Sequence, residues 1–223
     1  MISTGFPVVI ERGGKNEERL YLYNTSFLLG NDTVVIYKTD MPNIDDIIAR
    51  HKARYFFPAL FCRPGMNILD IPCGSGYGFE IFNTMNVHYT GRDKDPVTVE
   101  YCRNLYSKQG AKFTVADLVK PDISEDAFDV IACIEGIEHI GREHQANAIK
   151  AFHNGLKSGG VLAITTPEKG FTQTNSYHIG EMTRAEFKAL LKSCFTEVHI
   201  FGCLDTLHNG SKTNCLYGVC KKT

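Results

Sequence analysis

The residues with the plainest chemical purpose lie in Asn67-Ile68-Leu69-Asp70-Ile71-Pro72-Cys73-Gly74-Ser75-Gly76-Tyr77-Gly78, where a hydrophobic strand ends in an acid and passes through glycines into a helix. Glycines take positive φ where a strand turns sharply, and their bare backbone lets a ligand come close. Such a turn, at the C-terminal edge of a parallel sheet, is a nucleotide-binding geometry. A P-loop would need Gly-Lys-Ser/Thr to close the turn, and no Lys follows Gly74, Gly76 or Gly78. A dinucleotide fingerprint would want glycine where Phe79 stands. Asp70 sits where a carboxylate could receive a positively charged ligand group, directly or through water. Asp93, after Gly91-Arg92, is placed to take both hydroxyls of a ribose, and Asp117 lies beside Leu118, where an adenine amino group and ring could meet an acid and an apolar surface. Acids ending three consecutive strands suit an adenosine that carries no phosphate.

The elements that must position these residues can be read from hydrophobic pattern. Short β-branched runs cover Asn67 to Ile71, His88 to Asp93, Lys112 to Ala116, Phe128 to Cys133 and Val161 to Thr165, each bounded by Gly, Pro or Asp. Helix-period segments lie between them, most clearly Asp95 to Ser107, with Pro96 in its first turn, and Arg142 to Leu156. This alternation predicts an α/β fold: a doubly wound, Rossmann-like sheet with helices on both faces, three layers in all. Helix Arg184 to Ser193 is followed by strands Glu197 to Phe201 and Cys215 to Cys220, with no room for a helix between them. The last of seven strands is therefore expected to run antiparallel.

Residues 1–42 read as a β-rich appendage and residues 43–223 as the main domain. In the appendage, Phe6 to Ile10, Leu20 to Tyr23 and Val34 to Tyr37 look like strands, with a turn at Gly30-Asn31-Asp32. A helix is expected to start at Asn43, with Asp45 and Asp46 in its first turn and Ile44, Ile47, Ile48, His51 and Tyr55 on one face.

The 223 residues carry 24 Lys and Arg against 25 Asp and Glu, a net charge of −1, with 43% hydrophobic residues. That balance is a globular chain, not a disordered one, and it argues against a protein that coats nucleic acid by charge. No apolar stretch is long enough for a transmembrane span, and the first residues do not make a secretory signal. The cysteines form no Cys-x-x-Cys pair, and several lie in apolar runs such as Val130 to Ile134, so reduced, buried thiols and a cytoplasmic setting are expected. His139 and His144 have no recognised ligand spacing, and no metal site is expected.

Taken together the motifs closely resemble the class I S-adenosylmethionine-dependent methyltransferases, from about His51 onward. The resemblance implies S-adenosyl-L-methionine as cofactor and S-adenosyl-L-homocysteine as product. It places the methionine part on Asp70, Pro72, Cys73, Gly74, Ser75 and Gly76, the ribose on Asp93 with Lys94, and the adenine on Asp117 and Leu118. Ile134 and Glu135 are implied to line the same cleft. Phe128-Asp129-Val130-Ile131, Glu138-His139-Ile140 and the turn Leu156-Lys157-Ser158-Gly159-Gly160 are further matches. The segment His51 to Tyr55 is similar to the helix before the glycine turn in glycan- and quinone-modifying members, where an Arg reaches the cofactor carboxylate, which here is Arg54. Pro72 departs from the small residue usual at its position and stiffens the turn.

Methyl transfer from a sulfonium is an in-line displacement, so positioning supplies much of the rate. A base is needed only for a hydroxyl or a protonated amine, and Glu138, His139 and His178 are the candidate catalytic residues, with His139 as base. The other use of Glu138 and His139 is to cap or orient the next helix, and His178 could simply pack the loop. The connection from Thr166 to Met182, with Pro167-Glu168-Lys169 and Asn175-Ser176-Tyr177-His178, lies where an acceptor enters and suits a hydroxyl-rich small molecule such as a sugar. An RNA methyltransferase and a non-catalytic cofactor-binding subunit are the alternatives. The Asn/Asp-Pro-Pro-Tyr/Phe run of enzymes that methylate base amino groups is replaced here by Ile134-Glu135-Gly136-Ile137, which speaks against nucleic acid. A monomer or homodimer is expected.

Overall fold

The computed structural model describes residues 8–13, 19–171, 176–206 and 212–223. Its main sheet has seven strands in the order β6-β5-β4-β7-β8-β10-β9. These are β4 (Asn67–Asp70), β5 (His88–Asp93), β6 (Lys112–Val115), β7 (Phe128–Ile134), β8 (Leu156–Pro167), β9 (Glu197–Thr206) and β10 (Lys212–Lys221). The first five run parallel, and β10 lies antiparallel between β8 and β9. The chain order in the sheet reverses beside β4, so the ends of β4, β5 and β7 border one crevice, which is where open α/β sheets bind ligands.

The two faces carry separate cores. Helices α1 (Ile44–Ala59), α2 (Gly78–Phe82) and α3 (Pro96–Tyr106) cover one face, where Tyr55, Phe82, Tyr89, Tyr101 and Phe113 pack together. Helices α4 (Arg142–Gly155) and α5 (Arg184–Lys192) cover the other, burying Ile149, Phe152, Phe187 and Leu191. Because β7 is covered on both sides, its sequence from Val130 to Ile134 is a continuous apolar run and not an alternating one. Asp95 caps α3 by accepting from Val97 N at 3.1 Å, ahead of Pro96 at the first helical position. Thr183 and Glu186 form a capping box on α5. Asn43 does precede α1, but in a left-handed conformation (φ 60°) and without a side-chain capping bond.

A second sheet of three strands, in the order β1-β3-β2, joins β1 (Val9–Gly13) parallel to β3 (Asp32–Tyr37), and pairs β2 (Thr25–Leu29) with β3 across Gly30 and Asn31. Of the expected first strand, Phe6 and Pro7 lie outside the described residues. The expected strand at Leu20 to Tyr23 is not a strand and pairs with none among the described residues. Its polar groups are satisfied elsewhere: Tyr21 N donates to Thr39 Oγ1 at 2.9 Å, and Tyr23 N donates to the Tyr101 hydroxyl at 3.0 Å. The Tyr21 ring, fully buried, packs edge-on to Tyr101 at 5.0 Å and fixes the segment to α3. The turn expected at Leu156 to Gly160 is instead a bulge within β8, with Gly159 at φ 78° and its N–H bonded to the Lys222 carbonyl. All eight cysteines are free.

Candidate functional site

The turn after β4 has the backbone that its glycines allow. Gly74 and Gly76 take φ of 53° and 77°, and the Ile71–Pro72 peptide is cis. A Cβ on Gly76 would stand 2.9 Å from Cys102 Sγ, and one on Gly78 would collide with the Tyr55 ring, so these two let α3 and α1 close on the turn and on the start of α2. A Cβ on Gly74 would meet nothing within 4 Å. At Gly74 the backbone faces open space, which is the cradle an approaching cofactor needs. Cys73 is buried, and Pro72 packs against Gly136 in the loop after β7.

The three acids meet very different surroundings. Asp70 is fully buried and accepts from the hydroxyls of Tyr89 (2.6 Å) and Tyr55 (3.4 Å), and burial pushes its pKa up to about 8 against those two bonds. It braces the floor of the turn and turns no oxygen to the cleft. Asp93 accepts from Gly74 N at 3.1 Å and Asp95 N at 3.0 Å, and its Oδ2 is paired with Arg19 at 2.9 Å. Leu20 accepts a hydrogen bond from the Ser75 hydroxyl, so residues 19–23 lie across the turn and the second acid. Neither Arg19 nor that crossing carries a motif, and no local signal in the sequence points to them. Asp117 is exposed past the end of β6 and caps its own loop by accepting from Val119 N at 2.9 Å, with Leu118 buried beside it. Lys94 is exposed.

On the other side of the crevice, Arg54 and Glu135, both named from sequence, come together at 3.6 Å. Ile134 is buried at the end of β7, and Glu135 follows it at φ 49°, a left-handed conformation uncommon for a side-chain-bearing residue. Its carboxylate also accepts from Thr165 Oγ1 (2.9 Å) and Cys215 Sγ (3.1 Å). Burial alone would raise the Glu135 pKa, but Arg54 and these two bonds outweigh it and hold the pKa below the usual range. Thr165 and Cys215 sit on β8 and β10 and were invisible as site residues, because only the strand order brings them beside Glu135. His51, behind Arg54, is held to a pKa of about 4 by burial and by that cation.

The candidate catalytic residues converge. Glu138 is fully buried and accepts from Thr166 Oγ1 at 3.1 Å, and burial, followed by the nearby Glu135, holds its pKa well above the carboxylate range. His139 Nε2 lies 4.0 Å from Glu138 Oε1, and the His139 and His178 rings meet edge-on at 5.0 Å. His139 Nδ1 is 3.2 Å from the Tyr177 carbonyl and His178 Nδ1 is 3.0 Å from Glu181 Oε1. Tyr177 itself is exposed, and Asn175 lies outside the described residues. Glu168, expected to face an acceptor, is tied to Asn214 Nδ2 (2.5 Å) and Arg184 N (3.2 Å), where it anchors the loop to α5 and β10.

Comparisons with known proteins bear on the family and the fold. A family described as "Methyltransferase domain" matches residues 68–160. A probable S-adenosylmethionine-dependent methyltransferase of Mycolicibacterium smegmatis is 30% identical over 178 residues, which are 73% of this chain and 67% of that protein. A protein of the same description from Mycobacterium tuberculosis is 26% identical over 73% of this chain, which spans 63% of the relative's length. The Haemonchus contortus phosphoethanolamine N-methyltransferase 2, solved with phosphomonomethylethanolamine and S-adenosylhomocysteine, shares the fold with a TM-score of 0.65 at 13% identity, over 78% of this chain and 53% of that one.

Proposed function

The chain belongs to the class I S-adenosylmethionine-dependent methyltransferases, and we propose that it methylates a hydroxyl or amine of a small molecule, with a sugar or other hydroxylated metabolite as the acceptor. The observation that carries this reading is the meeting of His139 and His178, whose rings stand 5.0 Å apart on the same sheet edge as Glu135 and Glu138. Polar groups that can take or hold a hydroxyl are thereby gathered beside the place where the cofactor's sulfur belongs.

S-adenosylmethionine is the cofactor, and it supplies a methyl group on a positively charged sulfur. In our reading the backbone from Pro72 to Gly76 cradles its methionine part at Gly74, and Arg54 holds the carboxylate. Asp93 with Lys94 takes the ribose, and Asp117 with Leu118 takes the adenine. Ile134 and Glu135 close the inner wall, and Asp70 supports the turn from beneath. Glu138, His139 and His178 receive the acceptor and manage its proton. Residues 1–42 act as an appendage to the domain at 43–223, and the free cysteines support a cytoplasmic setting. Among the described residues, no helix is long and apolar enough to cross a membrane.

A phosphate-bearing amine of the phosphoethanolamine kind would want an available cation at this edge. Arg54 is already taken by Glu135 and, in this reading, by the cofactor's carboxylate, which favours a neutral hydroxylated acceptor. Methyl-labelled cofactor incubated with a fractionated metabolite extract tests the reading. Label should enter a small hydroxylated product, and His139→Ala should lower that transfer about 10²- to 10⁴-fold while S-adenosylhomocysteine binding persists. Label found only in RNA or protein fractions would defeat it.

A further inference from the structure

We propose that Glu138, His139 and His178 form a site for one divalent first-row cation, which holds and polarises the acceptor's oxygen. The proposal rests on the small-molecule hydroxyl reading above and replaces a protein base with an ion. Three facts of geometry carry it. The first is that Glu138 is fully buried while its Oε1 has no hydrogen-bond partner among the described residues. A buried carboxyl oxygen left without a polar partner is costly, and a cation is a partner that relieves it.

The second is the placement of the ligand atoms. Glu138, His139 and His178 each offer one within 4.8 Å of the others. First-row ions stand about 2.0 to 2.2 Å from N and O ligands, which sets tetrahedral ligand atoms roughly 3.4 Å apart, so atoms within 4.8 Å of one another have to draw in by up to about 1.4 Å. His178 stands in the connection between β8 and α5, outside a regular element, and can follow such a shift.

The third is the orientation of the two imidazoles. A carbonyl and a carboxylate only accept, so His139 Nδ1 donates to Tyr177 O and His178 Nδ1 donates to Glu181 Oε1. In the neutral rings this leaves the lone pair on Nε2, and His139 Nε2 is the ring nitrogen 4.0 Å from Glu138 Oε1. A backbone carbonyl and a carboxylate behind the ligating histidines are the supports that metal sites use to set the ring and raise its basicity. Two imidazoles and one carboxylate suit manganese, iron, cobalt or zinc better than magnesium or calcium. Sequence spacing gave no sign of the site, because His178 reaches His139 only through the fold.

In the reaction, the acceptor's hydroxyl, polarised by the ion, gives its proton to solvent. Its oxygen forms the bond to the methyl carbon as the carbon–sulfur bond breaks, and that electron pair returns to sulfur. No oxidant or reductant takes part.

The full chain, stripped with a chelator, is titrated with Mn²⁺ alone, followed by electron paramagnetic resonance and calorimetry. One Mn²⁺ per chain is expected, with affinity reduced at least tenfold in Glu138→Gln and His178→Ala. Glu181→Gln, which leaves all three ligands in place, should lose ten- to a hundredfold. All three variants should keep S-adenosylhomocysteine binding. Absence of stoichiometric binding, or equal binding by His178→Ala, overturns the proposal, and so does methyl transfer by the stripped protein at an undiminished rate. Stoichiometric binding lost in the variants, with no hydroxylated acceptor methylated, upholds the cation site and defeats the acceptor reading.

Discussion

Asp70 shows how far a residue's position and its work can part. Its place at the end of β4 was plain from the sequence, yet its carboxyl group lies wholly out of water between two tyrosine hydroxyls. Burial lifts its pKa from 3.8 to about 8 in the folded chain. Between those values the folded chain keeps a proton that the unfolded chain releases, so unfolding costs a proton's worth of stability less as pH rises. The contribution is whole below about pH 4 and is lost as pH climbs through about 8. Urea midpoints at pH 5 and pH 8 should therefore fall for the native chain, and Asp70→Asn should flatten that fall. An equal fall in the variant would assign the titration to another group. Residue types with local spacing, such as Asp70, Gly74 and Gly76, were legible because the turn itself dictates them. His178 was named but its meeting with His139 was not, because that depends on how a long connection returns.

Among the elements, the stretch from Leu156 to Gly160 is one whose form the sequence misstated, and so is the segment from Leu20 to Tyr23. Its apolar, aromatic composition reads as a strand, but side chains of α3 and Thr39 take its polar groups before any ladder can. The consequence is that Arg19 reaches Asp93, the acid we propose for the ribose. Arg19 is partly exposed, so the pair contributes roughly 1 kcal/mol after solvent screening. Arg19→Ala should then tighten S-adenosylhomocysteine binding about fivefold in calorimetry. Weaker binding would mean that Arg19 assists the cofactor instead of competing with it. By contrast, β5 and the starts of α3, α4 and α5 match their sequence boundaries closely, since Pro96, Asp95 and the Thr183–Glu186 box fix them locally.

For the molecule as a whole, the site is assembled from both halves of the chain. Arg19 lies over the glycine turn, and Cys215 on β10 bonds to Glu135 at the opposite wall. The fold class was readable from the alternation of strands and helices, and the antiparallel last strand from the short return before it. The insertion of β10 between β8 and β9 was not, because hydrophobic pattern gives direction but not sheet order. A chain ending at Thr206 would leave β8 with an open edge and remove the fully buried Leu216 and Cys220. Such a chain should show no cooperative thermal transition by circular dichroism. A native-like melt would mean that β9 can pair with β8 directly.

That insertion also orders events during translation. The ribosome releases β8 and β9 before the strand that separates them, so the nascent sheet waits with an unpaired border that invites wrong partners. The wall that Cys215 completes is built in the same late step, and cleft and sheet mature together.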